Sequence, residues 1–138
     1  MENANRNFKI LISDDEPYIV HVLAIKLSSV GYEILTASDG EEALEICRAE
    51  KPDMIITDYQ MPHCNGLQLC DMNARENGYK IPAILITARE YDIDEQTAHS
   101  HGIREILAKP FSPNEVLQKV ETLLAEFYPH GTRAIKSA

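Results

Sequence analysis

The amino-acid sequence predicts an α/β protein, a doubly wound parallel sheet with helices on both faces. Two observations predict it. Five short apolar runs, FKILIS (8–13), YEILTA (32–37), DMIITD (53–58), IPAILITA (81–88) and REILA (104–108), are rich in Ile, Leu, Val or Thr, and the central ones are continuous rather than alternating. Continuous runs suit strands covered on both faces, as in a parallel sheet. Segments with helical spacing alternate with these runs, so the chain reads as βα repeated five times. Right-handed crossovers between successive strands then place helices on both sides.

The helices follow from local signals. Pro17 suits a first helical turn, and Val20, Leu23, Leu27 and Val30 recur three or four residues apart before Gly31 ends the pattern. Ser38 or Asp39 can cap a second helix carrying Ala43, Leu44 and Ile46, which ends near Lys51-Pro52. A third, over 66–76, carries Leu67, Leu69, Cys70 and Met72 and meets Asn77-Gly78. The fourth, over 91–100, is polar with a thin apolar stripe, and its acidic YDIDEQ segment reads as a solvated face. Ser112, Pro113 and Glu115 form an S-x-x-E capping box with Pro at the first position, and Val116, Leu117, Val120, Leu123 and Leu124 supply the buried face of the fifth helix. One domain is expected over 8–127, with a polar leader at 1–7 and a tail or linker start at 128–138.

Composition narrows the function classes. The 138 residues are 44% hydrophobic and 25% charged, a soluble globular balance, and no apolar run approaches the length of a membrane span. The N-terminal stretch MENANRNFKI has no long apolar segment, so no secretory signal is expected. Cys47, Cys64 and Cys70 form neither a C-x-x-C pair nor an even set and read as reduced thiols, which makes a cytoplasmic location the expectation. A net charge of −9 argues against direct nucleic-acid contact, because phosphate binding needs clustered Lys and Arg. The same balance suits a divalent cation where carboxylates converge.

Open parallel sheets bind ligands at the carboxyl ends of their strands. There this chain places Asp14, Asp15 and Glu16 after the first strand, Asp58 after the third, Thr87 and Ala88 after the fourth, and Lys109-Pro110 after the fifth. Carboxylates gathered at one rim repel one another unless a cation lies among them, and Mg²⁺ with oxygen ligands is the natural resident, with Mn²⁺ as its substitute. Asp58 is then a candidate nucleophile or phosphate carrier, Thr87 a hydroxyl donor to a phosphoryl oxygen, and Lys109 a point charge for another. Taken singly, Asp14-Asp15 also reads as a helix cap, Lys109 as a solvated lysine and Thr87 as a strand residue. His99 and His101 form an H-x-H with no third ligand nearby, weak evidence for zinc.

The DD at 14–15, the strand-end Asp58 with MP at 61–62, TA at 87–88 and KPF at 109–111 together resemble the receiver domain of two-component response regulators, over about residues 8–127. The resemblance implies a flavodoxin-like (βα)5 fold with strand order 2-1-3-4-5 in three α/β/α layers. It implies Asp58 as the aspartate phosphorylated by a histidine kinase or histidine phosphotransfer protein. Asp15 is then the direct Mg²⁺ ligand, Asp14 its water-mediated neighbour and the Gln60 backbone carbonyl a further ligand. Thr87 and Lys109 are implied as the switch hydroxyl and phosphate-binding lysine, and a cis bond is implied between Lys109 and Pro110. The downstream partner, or an output domain, is implied to use the face built from the fourth helix, fifth strand and fifth helix.

One departure is visible: the family often has Tyr or Phe three residues before the lysine, and here that position is Ile106. Gln60 and Arg89, two residues beyond Asp58 and Thr87, occupy positions that tune phosphoryl loss in the family. Two other readings stand beside the first. A phosphorylation-independent binding module would keep the fold without using the acid. An aspartyl-nucleophile phosphatase would need a second Asp two residues after the first, where this chain has Gln60. Neither G-x-G-x-x-G nor G-x-x-x-x-G-K-[ST] occurs, which disfavours dinucleotide and P-loop enzymes.

Overall fold

The computed structural model describes residues 8–78, 81–88 and 93–129. Strands and helices alternate in the order β1 (Lys9–Ser13), α1 (Pro17–Ser28), β2 (Glu33–Ala37), α2 (Gly40–Glu50), β3 (Met54–Asp58), α3 (Gly66–Asn77), β4 (Ala83–Thr87), α4 (Glu95–Ser100), β5 (Ile103–Ala108) and α5 (Pro113–Phe127). The five strands are all parallel, in the order β2-β1-β3-β4-β5, as the resemblance implied.

Two apolar clusters sandwich the sheet. Ile10, Ile12, Ile56, Ile84 and Ile86 point to one face and pack with Leu23 and Leu27 of α1 and Val116, Val120, Leu123 and Leu124 of α5. Leu11, Ile55, Leu85 and Ala83 point to the other and pack with Ala43, Leu44 and Cys47 of α2, Leu69 and Cys70 of α3 and Ala98 of α4. This strict alternation explains the continuous apolar runs: both parities meet a helix layer.

In β5, Ile103 and Ile106 lie on the same face although three residues apart, an odd spacing that a regular strand would send to opposite faces. A register irregularity resolves this, since Ala83 pairs with Ile103 but Ile84 pairs with Glu105. Arg104 is the extra residue. It leaves the sheet to lie over the Phe127 ring at 4.9 Å and to donate to His99 Nε2 at 2.8 Å, joining α4, β5 and α5. The shift also aligns Thr87 with Ala108, which sets Lys109 at the strand end.

The fold settles several local signals. Asp39, not Ser38, caps α2 by accepting the Glu42 N–H, while the Glu42 carboxylate reaches back to the Ser38 N–H. The reciprocal capping box is on α3, between Asn65 and Gln68; on α5 the Ser112 side chain accepts the Glu115 N–H at 3.2 Å. The fourth helix starts at Glu95, with Asp94 as its N-cap accepting the Thr97 N–H, and Asp94, Glu95 and Gln96 are exposed, as a solvated face requires. Residues 91–92, expected in that helix, and Arg89 lie outside the described residues. Tyr128, read from sequence as the first residue of a tail, is buried, packs its ring against Phe8 at 5.3 Å and donates its hydroxyl to the Asp53 carbonyl at 2.9 Å. Cys47 and Cys70 are buried free thiols on packed helix faces, as expected.

Two glycines let the elements close over the carboxyl edge. A Cβ on Gly40 would stand 2.2 Å from the Cys64 carbonyl oxygen, so Cys64 is fitted against α2 rather than lying on a free loop surface. A Cβ on Gly66 would stand 2.6 Å from the Asp58 carbonyl oxygen and 2.7 Å from Leu85 Cδ1. Gly66→Ala should therefore push α3 away from the end of β3 and lower stability by about 1–3 kcal/mol, the usual size of an overpacking penalty. Urea unfolding measures it, and wild-type stability in this variant would contradict the close approach.

Candidate functional site

The register of β1 against β3 brings the two acidic strand ends together. Ser13 pairs with Thr57, so Asp14 and Asp58 follow on adjacent strands. Among the described residues one group of side chains has the geometry to hold a metal ion: Asp14, Asp15 and Asp58 each offer a carboxylate oxygen, all within 4.8 Å of one another. Asp14 is 2% exposed. Its Oδ1 accepts the Glu16 N–H at 2.9 Å, whereas its Oδ2 is buried without a hydrogen bond. Lys109 Nζ stands 3.2 Å from that oxygen, close enough for an ion pair but poorly aligned for a hydrogen bond.

Lys109 comes from the far side of the sheet. Its N–H donates to the Thr87 carbonyl at 2.9 Å, and the Lys109–Pro110 peptide is cis. The ammonium stands 2.7 Å from Glu16 Oε1, 3.2 Å from Asp14 Oδ2 and 3.6 Å from Asp58 Oδ2. Burial alone would pull Lys109 down, but Glu16, Asp14 and Asp58 outweigh it and the net shift is upward. Burial pushes the Asp14 carboxyl above the usual carboxylate range, opposed by the Glu16 N–H and Lys109. Burial, and after it the Asp14 charge, push Asp58 up to about 6, with Lys109 opposing. Three carboxylates (Asp14, Glu16 and Asp58) thus face one ammonium, with Asp15 beside Asp14 and Asp58.

Thr87, the last residue of β4, is buried on the strand next to β3, and Ala88 follows it, exposed. Gln60 is exposed two residues beyond Asp58. Ile106 is half-buried and packs against the apolar cluster on the α2–α3 side. The histidines of the H-x-H do not converge: His99 is taken by Arg104, and His101 Nδ1 lies 2.8 Å from the Thr97 carbonyl.

The structure adds contacts that sequence reading did not find. Glu16, noted only as one more acid at the rim, is the closest partner of Lys109. The thioether of Met61 is bonded from below by Ser13. Nothing in the spacing of Glu16 and Lys109, 93 positions apart, signals that pairing.

The donor set fits a hard divalent cation. It offers oxygens alone, three carboxylates already converge, and one buried oxygen has no hydrogen bond to lose. Chemically, the arrangement presents a nucleophilic carboxylate beside a fixed ammonium, and the raised Asp58 sets a testable sign. The folded protein binds that proton more tightly than the unfolded chain, so the penalty is absent below about pH 4 and grows as pH rises to about 6. In divalent-free buffer at pH 7, Asp58→Asn should stabilise the protein by about 1–3 kcal/mol, and the gain should vanish near pH 4, judged from a shift of about two units at 1.36 kcal/mol each. Urea unfolding with a chelator at both pH values is the measurement, and a gain equal at both would contradict it.

Comparison with known proteins identifies the family. The chain is 39% identical over 118 residues to the alkaline phosphatase synthesis transcriptional regulatory protein PhoP of Bacillus subtilis, covering 86% of this chain and 49% of that protein. It is 38% identical over 124 residues to the probable transcriptional regulator ycf27 of Galdieria sulphuraria, covering 90% and 48%. The chain therefore spans about half the length of the curated relatives it matches. Among solved structures, the Francisella response regulator 1452 receiver domain superposes with a TM-score of 0.76 at 29% identity, covering 88% of this chain and 99% of that one. The Vibrio cholerae chemotaxis protein CheY4 gives 0.76 at 30% identity, covering 86% and 99%. The model of the response regulator receiver domain family matches residues 10–121. The chain belongs to that family, the receiver domains of two-component response regulators.

Proposed function

We propose that Asp58 accepts a phosphoryl group from the phosphohistidine of a histidine kinase or phosphotransfer protein, with Mg²⁺ held by Asp14, Asp15, Asp58 and the Gln60 carbonyl. The observation that carries this reading is the convergence of three carboxylates within 4.8 Å with the Lys109 ammonium 3.6 Å from Asp58. When bound, the cation neutralises carboxylate charge and draws phosphoryl oxygens into the site. An Asp58 carboxylate oxygen attacks phosphorus, the new P–O bond forms as the P–N bond to the donor imidazole breaks, and the imidazole leaves. Lys109 holds one phosphoryl oxygen as a point charge, and Thr87, with Ala88 beside it, holds another. Water returns the carboxylate by hydrolysis, with no external substrate turned over. A phosphatase acting on esters is disfavoured, because Gln60 stands where its general acid would be.

The donor's docking surface is read from α1. Among the described residues the exposed large hydrophobics are Tyr18 (74%) and Ile25 (57%), both on this helix. Tyr18, Ile19 and Val22 line a cleft with Lys109, Pro110 and Phe111 that opens beside the acidic rim. A donor helix laid there brings its phosphohistidine to Asp58. The face of α4, β5 and α5 serves the downstream partner or an output domain in the remaining length that the relatives possess. The receiver unit, expected over 8–127, extends to the buried Tyr128 and acts in the cytoplasm.

Incubation with a small acyl phosphate and Mg²⁺ should add one phosphoryl group at Asp58, seen by intact-mass spectrometry, and none in Asp58→Asn or in chelator. Labelling that survives Asp58→Asn would sink the assignment. Tyr18→Ala or Ile25→Asp should slow transfer from a cognate kinase by more than about fivefold, the size of a modest interface anchor. The rate with the small donor should stay unchanged, and equal losses with both donors would remove α1 as the docking face.

A further inference from the structure

The loop between β3 and α3 carries Gln60, and both its ends are clamped by backbone. The Tyr59 N–H donates to the Ile86 carbonyl and the Tyr59 carbonyl accepts the Gly66 N–H, each at 2.9 Å. At the far end the Cys64 carbonyl abuts Gly40. Between the clamps, Met61 turns its side chain down onto the sheet, where two buried hydroxyls meet it. Ser13 Oγ donates to Met61 Sδ at 3.0 Å. Thr57 Oγ1 stands 3.8 Å from the same sulfur but 2.9 Å from the Asp58 carbonyl, so it bonds chiefly to the carbonyl. Ser13 is therefore the donor that holds the thioether.

Ser13 is 1% exposed, and among the described residues its hydroxyl has Met61 as its hydrogen-bond partner. A buried hydroxyl left without a partner is costly, so this O–H···S bond is a real restraint even though a thioether is a weak acceptor. The restraint acts one peptide away from the Gln60 carbonyl: the same peptide plane carries that oxygen and the Met61 nitrogen. Anchoring the Met61 side chain narrows the swing of that plane, and with it the direction of the oxygen.

We propose that Met61 is a positioning residue of the cation site, held through its sulfur by Ser13 so that the Gln60 carbonyl points at the ion. This rests on the reading that the carbonyl is a Mg²⁺ ligand. Ser13→Ala removes the donor, and Met61→Leu keeps the bulk while removing the acceptor. Calorimetric titration of the full chain with MgCl₂ should show each variant binding about three- to tenfold more weakly, the equivalent of one net hydrogen bond. The double variant should be no weaker than either single one, because all three lose the same bond. Urea unfolding in chelator separates this from simple packing: a packing role lowers stability and leaves Mg²⁺ affinity alone. Wild-type affinity in both single variants overturns the inference while leaving the cation site standing, and additive weakening in the double variant overturns the shared bond. A wild-type chain that binds no Mg²⁺ overturns the cation site itself and this inference with it.

Discussion

Mutual repulsion among the carboxylates at the carboxyl edge is the constraint around which the rest of the site is arranged. Two unit charges 4 Å apart near a protein surface repel by about 4 kcal/mol at an effective dielectric of about 20. Asp14, Asp15 and Asp58 hold such charges within 4.8 Å of each other, with Asp14 and Asp58 largely out of water. The chain cannot relax them apart, because Asp14 and Asp58 continue strands whose register is locked by buried Ile and Leu on both faces. Burial raises both acids first, the Asp14 charge adds to the rise at Asp58, and Lys109 is drawn into the gap from the end of β5. An acidic cluster at odds with its own folding energy is the pattern of a site kept for function, and on the proposed reading a divalent cation offsets its charge.

Topology delivers these groups at little local expense. In the order β2-β1-β3-β4-β5, the two acid-bearing strands are neighbours, and β4 and β5 follow outward from β3. The Lys109 stem then reaches back across the rim to Asp14 and Glu16 on the far side of Asp58. The bulge at Arg104 belongs to the same geometry. It corrects the side-chain parity of β5, so that Leu107 joins one apolar cluster while Ile103 and Ile106 pack on the other, and it leaves Lys109 aligned with Thr87.

What was legible in the sequence follows from which interactions are local. Element order and the core came from periodicity, since strands such as MIITD and AILIT are apolar on both parities. Strand-end chemistry was legible for a related reason: a parallel sheet gathers strand C-termini on one edge, so Asp14, Asp58, Thr87 and Lys109 could be grouped before any distance was known. The misses are of another kind. The reciprocal capping box formed at Asn65-x-x-Gln68 rather than at Ser112-x-x-Glu115, because side-chain oxygens compete for the same N–H groups and backbone angles decide. The Glu16–Lys109 pair, the Ser13–Met61 bond and the Tyr128 hydroxyl on the Asp53 carbonyl join positions 93, 48 and 75 residues apart. No periodicity encodes those; they exist only once the register is set.

On the proposed function, the placement of Lys109 joins the input and output sides of the molecule. In the free protein its ammonium is nearer Glu16 and Asp14 than Asp58. Glu16 is 59% exposed, so that contact is a surface pair of small net value, about 0–1 kcal/mol. A phosphoryl group on Asp58 offers more negative charge in a less solvated position, which makes the exchange of Glu16 for phosphate favourable for the lysine. Lys109 is covalently the end of β5 and hydrogen-bonded to the end of β4, so moving its head group loads the strand that carries Ile106 and Leu107. Half-buried Ile106 has an apolar neighbour layer on one side and the α4–β5 cleft on the other. On the proposed function a small displacement there would change which side it fills, since packed interfaces convert such displacements into discrete alternatives rather than gradual ones. On this argument the switch does not need an aromatic at position 106. It needs a residue whose burial depends on where the last turn of β5 lies, and Ile106 satisfies that condition.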